Sequence, residues 1–273
     1  MSTQIPKPSL GVLHMQEGVK KFQLNRHAPS AELAFFVKHY WIVRWDLTGE
    51  EAYPQLVVPN PCVNLVVEPG RTACFAPGKT TYSHLLQGQG CVFGVKFHPG
   101  GFYPFIKQPI SELSGRPLGV EMVLSASGEE LETAILGQPD EGAMVERMES
   151  YLQARLPMQD AQATFVQQVV ERISEDRELT KVDTICHYFK VHKRTLQRLF
   201  DQYVGVSPKW VIRLSRLQNA AEAIDTGQHH DLLQLSMELG YHDQAHFIKD
   251  FKSVVGQTPD AYTRAVAGSA PVS

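Results

Sequence analysis

Leu196, Leu199, Phe200 and Tyr203 recur at i, i+3, i+4 and i+7, the spacing of one buried stripe on a helix. Arg194, Gln197, Arg198 and Asp201 repeat that spacing on the opposite side. A helix divided in this way must bury its back and keep a charged, amide-bearing front free. The preceding stretch, TKVDTICHYFKV, reads as a shorter helix on which Val182, Ile185, Cys186 and Phe189 share a face. Thr180, with Asp183 three residues on, resembles a capping box at its start. A turn at Lys190 and Val191 leads from one helix into the other. Two short helices, a tight turn and an Arg/Gln front are what a helix-turn-helix requires. Arg can pair with guanine through two hydrogen bonds, and Gln with adenine.

The pattern continues beyond this pair. Gly205 ends the helix, and Ser207-Pro208 begins the next in the favoured cap and first-turn positions. That helix, expected from 208 to about 225, carries Lys209, Arg213 and Arg216. Residues 190–216 hold seven Lys or Arg against one Asp, a local charge of +6, in a chain of 273 residues whose net charge is −3. The electrostatic footprint is therefore local. After TGQHHD, Leu232, Leu235 and Leu239 mark another helical face, and Gly240 suits the left-handed turn after it. A further helix, about 243 to 254, buries Phe247, Phe251 and Val254 and shows Gln244, His246, Lys249 and Lys252. This is a second helix-turn-helix, about 50 residues after the first.

TLQRLFDQYVGVSPKWVIRLSRL followed by LGYHDQAHFIKDFKSVVGQTPDAY resembles the DNA-binding domain of the AraC/XylS family of bacterial transcription regulators, over about residues 163–266. The resemblance rests on the first hydrophobic frame, the Gly-x-Ser-Pro turn, the linker helix, and a second unit ending in Phe-Lys-x-x-x-Gly-x-x-Pro-x-x-Tyr. It implies about seven helices, with two recognition helices entering successive major grooves of double-stranded DNA. By matching position, His192, Lys193, Arg194, Gln197 and Arg198 would read with the first helix, and Gln244, Ala245 and Lys249 with the second. Lys209 and Arg213 on the linker helix join the DNA-binding set, Arg213 as a phosphate contact or a structural tie. Three positions depart from the family pattern. His192 stands where Ser is common, which weakens the helix cap. Ala245 is short enough to touch only a thymine methyl. Asp243 would repel a phosphate unless it caps its helix.

The first half has a different period. YWIVRWDL, QLVVPN, CVNLVVEPG and CVFGVKFHPGG, between residues 33 and 106, are short β-branched or aromatic runs parted by Pro and Gly, as strands and turns require. EGAMVERMESYLQARLP then reads as an amphipathic helix ended by Pro157. The expected fold is α+β and multidomain. Residues 1–156 form a β-rich sensor or dimerisation domain with flanking helices, residues 157–266 an all-α DNA reader, and 267–273 a frayed tail. The β-rich half resembles the small, cupin-like β-barrel found at the N-terminus of some family members. Trp41, Trp45, Tyr53, Phe93, Phe97, Phe102 and Tyr103 are core or pocket residues, and Asn64 and Lys96 are polar positions in apolar strands, facing solvent or a bound molecule. FHPGG is a turn forced by Pro99, Gly100 and Gly101 rather than a phosphate loop.

Other functions find little support. His39, His84 and His98 lack the spacing of metal ligands, and His242 with His246 lacks a third, so no metal or cofactor is expected. Cys62, Cys74, Cys91 and Cys186 form no C-x-x-C and read as reduced thiols. No nucleophile elbow or suggestive carboxylate pair points to an enzyme, and the motif of a fused DNA-repair methyltransferase is missing. MSTQIPKPSLGVLHMQEGVKKF lacks the apolar run of a signal peptide, and no stretch is long enough to span a membrane. A cytoplasmic protein is expected. Its partners, beyond DNA, are RNA polymerase, a second copy of the chain and a small-molecule effector at the N-terminal domain; a barrel that binds no ligand stands as the alternative.

Overall fold

The computed structural model describes residues 21–225 and 231–268. The leader-free N-terminus expected for residues 1–20, most of the TGQHHD loop and the end of the tail lie outside that range. Seven strands come first: β1 (Gln23–His27), β2 (Val37–Leu47), β3 (Tyr53–Val57), β4 (Asn64–Val67), β5 (Ala73–Phe75), β6 (Tyr82–Leu86) and β7 (Gly88–Phe97). Five of them build an antiparallel sheet in the order β1-β2-β7-β4-β5, and β3 pairs with β6 in a separate two-stranded ribbon. The β-rich half expected from the sequence is therefore present, as two sheets.

One face of the five-stranded sheet carries Tyr40, Ile42, Leu65, Phe93, Val95 and Phe97, all with almost no exposure. They pack against short helices that follow the last strand: α1 (Tyr103–Ile106), a 3-10 turn (Ile110–Leu113), α2 (Glu121–Leu124), α3 (Gly128–Leu131, continuing as a π-turn to Leu136) and α4 (Glu141–Gln153). α4 presents Met144, Met148 and Leu152 at four-residue steps, so one stripe covers the sheet. Its start is capped by Asp140, whose carboxylate accepts from the Ala143 amide. The helix ends at Gln153, four residues short of Pro157. Pro disfavours helical backbone in the residue before it, so the chain has to leave the helix ahead of the proline.

Among the described residues the second half has seven helices: α5 (Ala161–Glu175), α6 (Val182–Tyr188), α7 (Lys193–Tyr203), α8 (Pro208–Asp225), α9 (Leu232–Glu238), α10 (Gln244–Val255) and α11 (Pro259–Gly268). They enclose two cores. The first joins Val166, Val170, Ile185, Leu196, Phe200 and Tyr203; the second joins Leu235, Phe247, Phe251, Val254 and Tyr262. α8 serves both, with Val211 and Ile212 in the first and Leu214, Leu217 and Ala221 in the second.

Among the described residues, the first half packs against both helical cores. Tyr103 of α1 lies against Tyr203 of α7, ring centroids 4.3 Å apart, and its hydroxyl accepts from Gln202 Nε2 at 2.6 Å. Elsewhere Leu56 of β3, with Val58 just beyond it, joins the second helical core, and the Thr81 hydroxyl donates to the Val254 carbonyl. The β3–β6 ribbon is thus shared between the sheet and the second helical unit.

Candidate nucleic-acid interface

Both helix pairs close their turn alike. In the first, Val191 N–H donates to the Cys186 carbonyl at 3.0 Å and Lys190 N–H to His187 at 3.3 Å. In the second, Tyr241 donates to Ser236 at 2.9 Å and Gly240 to Met237 at 2.8 Å. The six-to-one bond needs a left-handed residue at the bend. Gly240 supplies it at φ 73°, and Lys190 at φ 51° despite its side chain.

The start of α6 differs from the capping box read in the sequence. Lys181 is the cap residue and no side chain caps the helix. The Asp183 carboxylate instead meets the Lys193 ammonium at 2.9 Å across the turn. An ion pair has taken the acid that the box needed.

α7 starts at His192, whose side chain makes no cap bond, consistent with the loss of the usual Ser. Leu196, Leu199, Phe200 and Tyr203 are buried, while His192, Lys193, Arg194, Gln197 and Arg198 are exposed. Arg198 is not wholly free: it donates to Gln202 Oε1 at 3.4 Å, and Gln202 in turn holds Tyr103. Lys209 is exposed in the first turn of α8. The Tyr203 hydroxyl donates to Asp160 Oδ2 at 2.6 Å, and burial with that carboxylate pushes the phenol's pKa up.

On α10, Gln244, Ala245, His246 and Lys249 are exposed while Phe247, Phe251 and Val254 are buried. Asp243 caps the helix, its carboxylate accepting from the His246 amide at 2.7 Å. That meets the condition under which an acid is tolerable here, because the charge faces the positive helix end.

Two cations counted in the local charge are engaged internally. Arg213 is half-buried, its Nε 3.2 Å from Asp250 Oδ2 and its guanidinium bonded to the Ser253 hydroxyl. Asp250 also accepts from the Tyr241 hydroxyl at 3.1 Å, and burial and this acid push the phenol's pKa up. Arg216 lies over the Tyr241 ring, 4.2 Å from its centroid. Both arginines tie α8 to the second unit, which leaves Lys190, Lys193, Arg194, Arg198 and Lys209 as the exposed cations of 190–216. For Arg213 this is the structural alternative read in the sequence, which did not name its partner; the signal for that partner is Asp250, an acid on a helix whose front is otherwise basic or neutral.

The aromatic candidates of the first half divide. Phe93, Phe97 and Phe102 are core, Tyr103 sits between the halves, and Trp41 and Trp45 lie across Gly94 and Gly90 of the neighbouring strand. His84 sits 3.2 Å from Glu68. All four cysteines are free. No helix of the described residues is long and apolar enough to cross a membrane.

A buried frame that presents two short, similarly built helices on one shared linker helix defines a double helix-turn-helix module. Residues 185–265 match a family described as a helix-turn-helix domain, and residues 25–118 match a domain of unknown function (DUF6597). An uncharacterized HTH-type transcriptional regulator of Haemophilus influenzae is 36% identical over 70 residues, 26% of this chain and 23% of the relative. The raffinose operon transcriptional regulatory protein RafR of Pediococcus pentosaceus is 27% identical over 82 residues, 30% of this chain and 29% of that protein. The chain thus spans under a third of the length of either relative. Among solved structures, an AraC-type transcriptional regulator from Chromobacterium violaceum is 27% identical over 38% of this chain and 91% of its own, with a TM-score of 0.32. ToxT from Vibrio cholerae O395 is 12% identical over 91% and 99%, with a TM-score of 0.39. Over residues 185–265 the helical half of this chain is thus similar to a family of helix-turn-helix domains.

Proposed function

We propose that the chain is a sequence-specific DNA-binding transcriptional regulator, with residues 157–266 as reader and residues 1–156 as the part that receives a small-molecule effector or a second copy of the chain. The observation that carries this reading is the pairing of two recognition helices whose apolar backs are buried and whose fronts, Arg194, Gln197 and Arg198 on one and Gln244, Ala245 and Lys249 on the other, are exposed. In this reading His192, Lys193 and Lys209 flank the first reader and favour phosphates. Arg213 acts behind the second reader, holding it through Asp250. RNA polymerase is the further partner such a regulator would meet, in the cytoplasm, and no catalytic step is required of it.

The test is to recover genomic fragments bound by the purified full-length protein and re-measure the best at two salt concentrations. A shared motif with half-sites about one helical turn apart is expected, with affinity falling steeply as salt rises. Arg194→Ala or Arg198→Ala should cost about 1–3 kcal/mol on the target and relax its sequence preference. If both variants bind target and random DNA as the parent does, α7 is not the reader.

A further inference from the structure

Both recognition helices end against the first half. The last turn of α7 meets α1, where the Tyr203 ring lies on Tyr103 and Gln202 donates to the Tyr103 hydroxyl. Gly205, just beyond, approaches Ile110 so closely that a Cβ would collide with it. Ile110 is fully buried in the main core of the sheet, and a close-packed core yields little. Phe35 and Tyr103 pack against that core and against the first helical core at once. Gly100, in the FHPGG turn, adds a further close approach: at φ 85°, its Cβ would stand 3.3 Å from the backbone of Ala163 in α5.

The end of α10 is met in the same way. The Thr81 hydroxyl donates to the Val254 carbonyl, one of the four that a helix end leaves without an intrahelical partner. Thr81 also stands beside Gly256, and Leu56 packs on the second helical core that includes Val58. All these contacts come from one end of the β3–β6 ribbon, where Val57 pairs with Tyr82. The opposite end, where Tyr53 pairs with Leu86, is set into the sheet: Leu86 is buried with Phe22 and Leu47, and Tyr53, Val43 and Trp45 pack on them. Between the ends, His84 lies 3.2 Å from Glu68, just past β4. The ribbon is a strut about 13 Å long, seated in the sheet at one end and in the second helical unit at the other.

α8 already joins the two units. A single helix is a connection that can bend, and bending would let the units turn or part. The sheet, fixed to the first unit by close contacts and to the second by the strut, is another connection in parallel. The two together make a closed frame, which fixes both the separation and the angle of α7 and α10. Successive base pairs are about 3.4 Å apart, so a slip of that size between the readers changes the half-site spacing they fit.

We propose that the first half braces the two recognition helices and thereby sets the half-site spacing the chain accepts. Thr81 and Leu56 are positioning residues for the second reader, and Tyr103 and Ile110 for the first. This rests on the reading of the chain as a regulator with two readers and names what determines the layout of its DNA site. None of the four has to touch DNA; each acts through the end of a recognition helix.

The test uses the full-length protein and its recovered DNA motif in three forms: half-sites at the selected separation, one base pair closer and one base pair further apart. The parent should bind the selected form about tenfold or more tighter than either shifted form, a cost like that of a mismatched base pair. Thr81→Val and Leu56→Ala should each narrow that gap to about threefold. Both residues are only half-buried, so the variants should fold. Their salt dependence, which reports phosphate contacts, should match the parent's. Thr81→Ser keeps the hydroxyl and should keep the parent's gap. A parent indifferent to spacing, variants as strict as the parent, or variants that weaken all three forms equally would overturn the brace and leave the regulator, whose base preference the same assay measures. Recovery of no shared motif overturns both.

Discussion

The two helix-turn-helix units have one backbone plan and different means of holding it. The first bends at Lys190, a side chain in the left-handed region, and starts its recognition helix at His192 without a cap bond. The second bends at Gly240 and caps both its helices with acids, Asp231 and Asp243. The first is rich in exposed cations and rests on the α1 side of the N-terminal half through Tyr103 and Ile110. The second shows fewer cations, ties itself to α8 through Arg213 and Asp250, and rests on the ribbon. The difference teaches that local stability and surface charge trade places: the unit with the stronger field has the weaker local signals and relies on its neighbours.

The glycines that end the two recognition helices sharpen this most. Both are left-handed, Gly205 at φ 84° and Gly256 at φ 89°. A Cβ on Gly205 would sit 2.8 Å from Ile110 Cγ2 and 3.0 Å from its backbone, whereas on Gly256 it would come no closer than 3.6 Å to Thr81. Gly205→Ala should therefore cost about 3 kcal/mol, backbone strain plus overpacking. Gly256→Ala should cost only the strain, about 1 kcal/mol. Denaturant midpoints measure both, and equal losses would mean that the first unit does not lean on Ile110.

Next comes the tie within the second unit. Arg213→Ala leaves Asp250, 14% exposed, without its cation, and should cost about 2 kcal/mol, below a fully buried pair because the arginine is partly solvated. Lys209→Ala, removing an exposed cation serving the first unit, should leave the midpoint within about 0.5 kcal/mol of the parent. A smaller exchange tests the bends: Lys190→Gly should stabilise by about 1 kcal/mol, and Gly240→Lys should destabilise by a similar amount. Opposite signs in the two units are the expected result, read from thermal or chemical unfolding. The smallest effect lies in the caps. Asp243→Ala should lose about 1 kcal/mol, while His192→Ser should gain about 0.5 kcal/mol; a loss on His192→Ser would show that the imidazole has a structural role in the turn.

The helical half was legible because its elements are defined by short-range spacing. Leu196, Leu199, Phe200 and Tyr203 fall within eight residues, and all four are buried as that spacing requires. α10 was placed within one residue of its observed bounds for the same reason. In the β-rich half, β1 (QLNRH), β5 (ACF) and β6 (YSHLL) escaped. They are short, polar or without alternation, and only partners distant in the chain make them strands. The front residues of both readers were visible as a helix face, but Arg213 and Arg216 look like front residues too. Their neighbours Asp250 and Tyr241 lie 37 and 25 positions away, beyond what periodicity can report.

The sequence by itself determined the two helical units, their turns, the helix that joins them and the apolar stripes that must be buried, because helix geometry brings residues three and four apart together whatever the rest of the chain does. Only the tertiary structure decided which cations stay exposed, that the β3–β6 ribbon belongs to both halves, and that Lys96 and His39 meet on one face of the sheet. Those outcomes depend on strand register and on packing between segments far apart in the chain, and a shift of one residue in register would have sent each of these side chains to the opposite face.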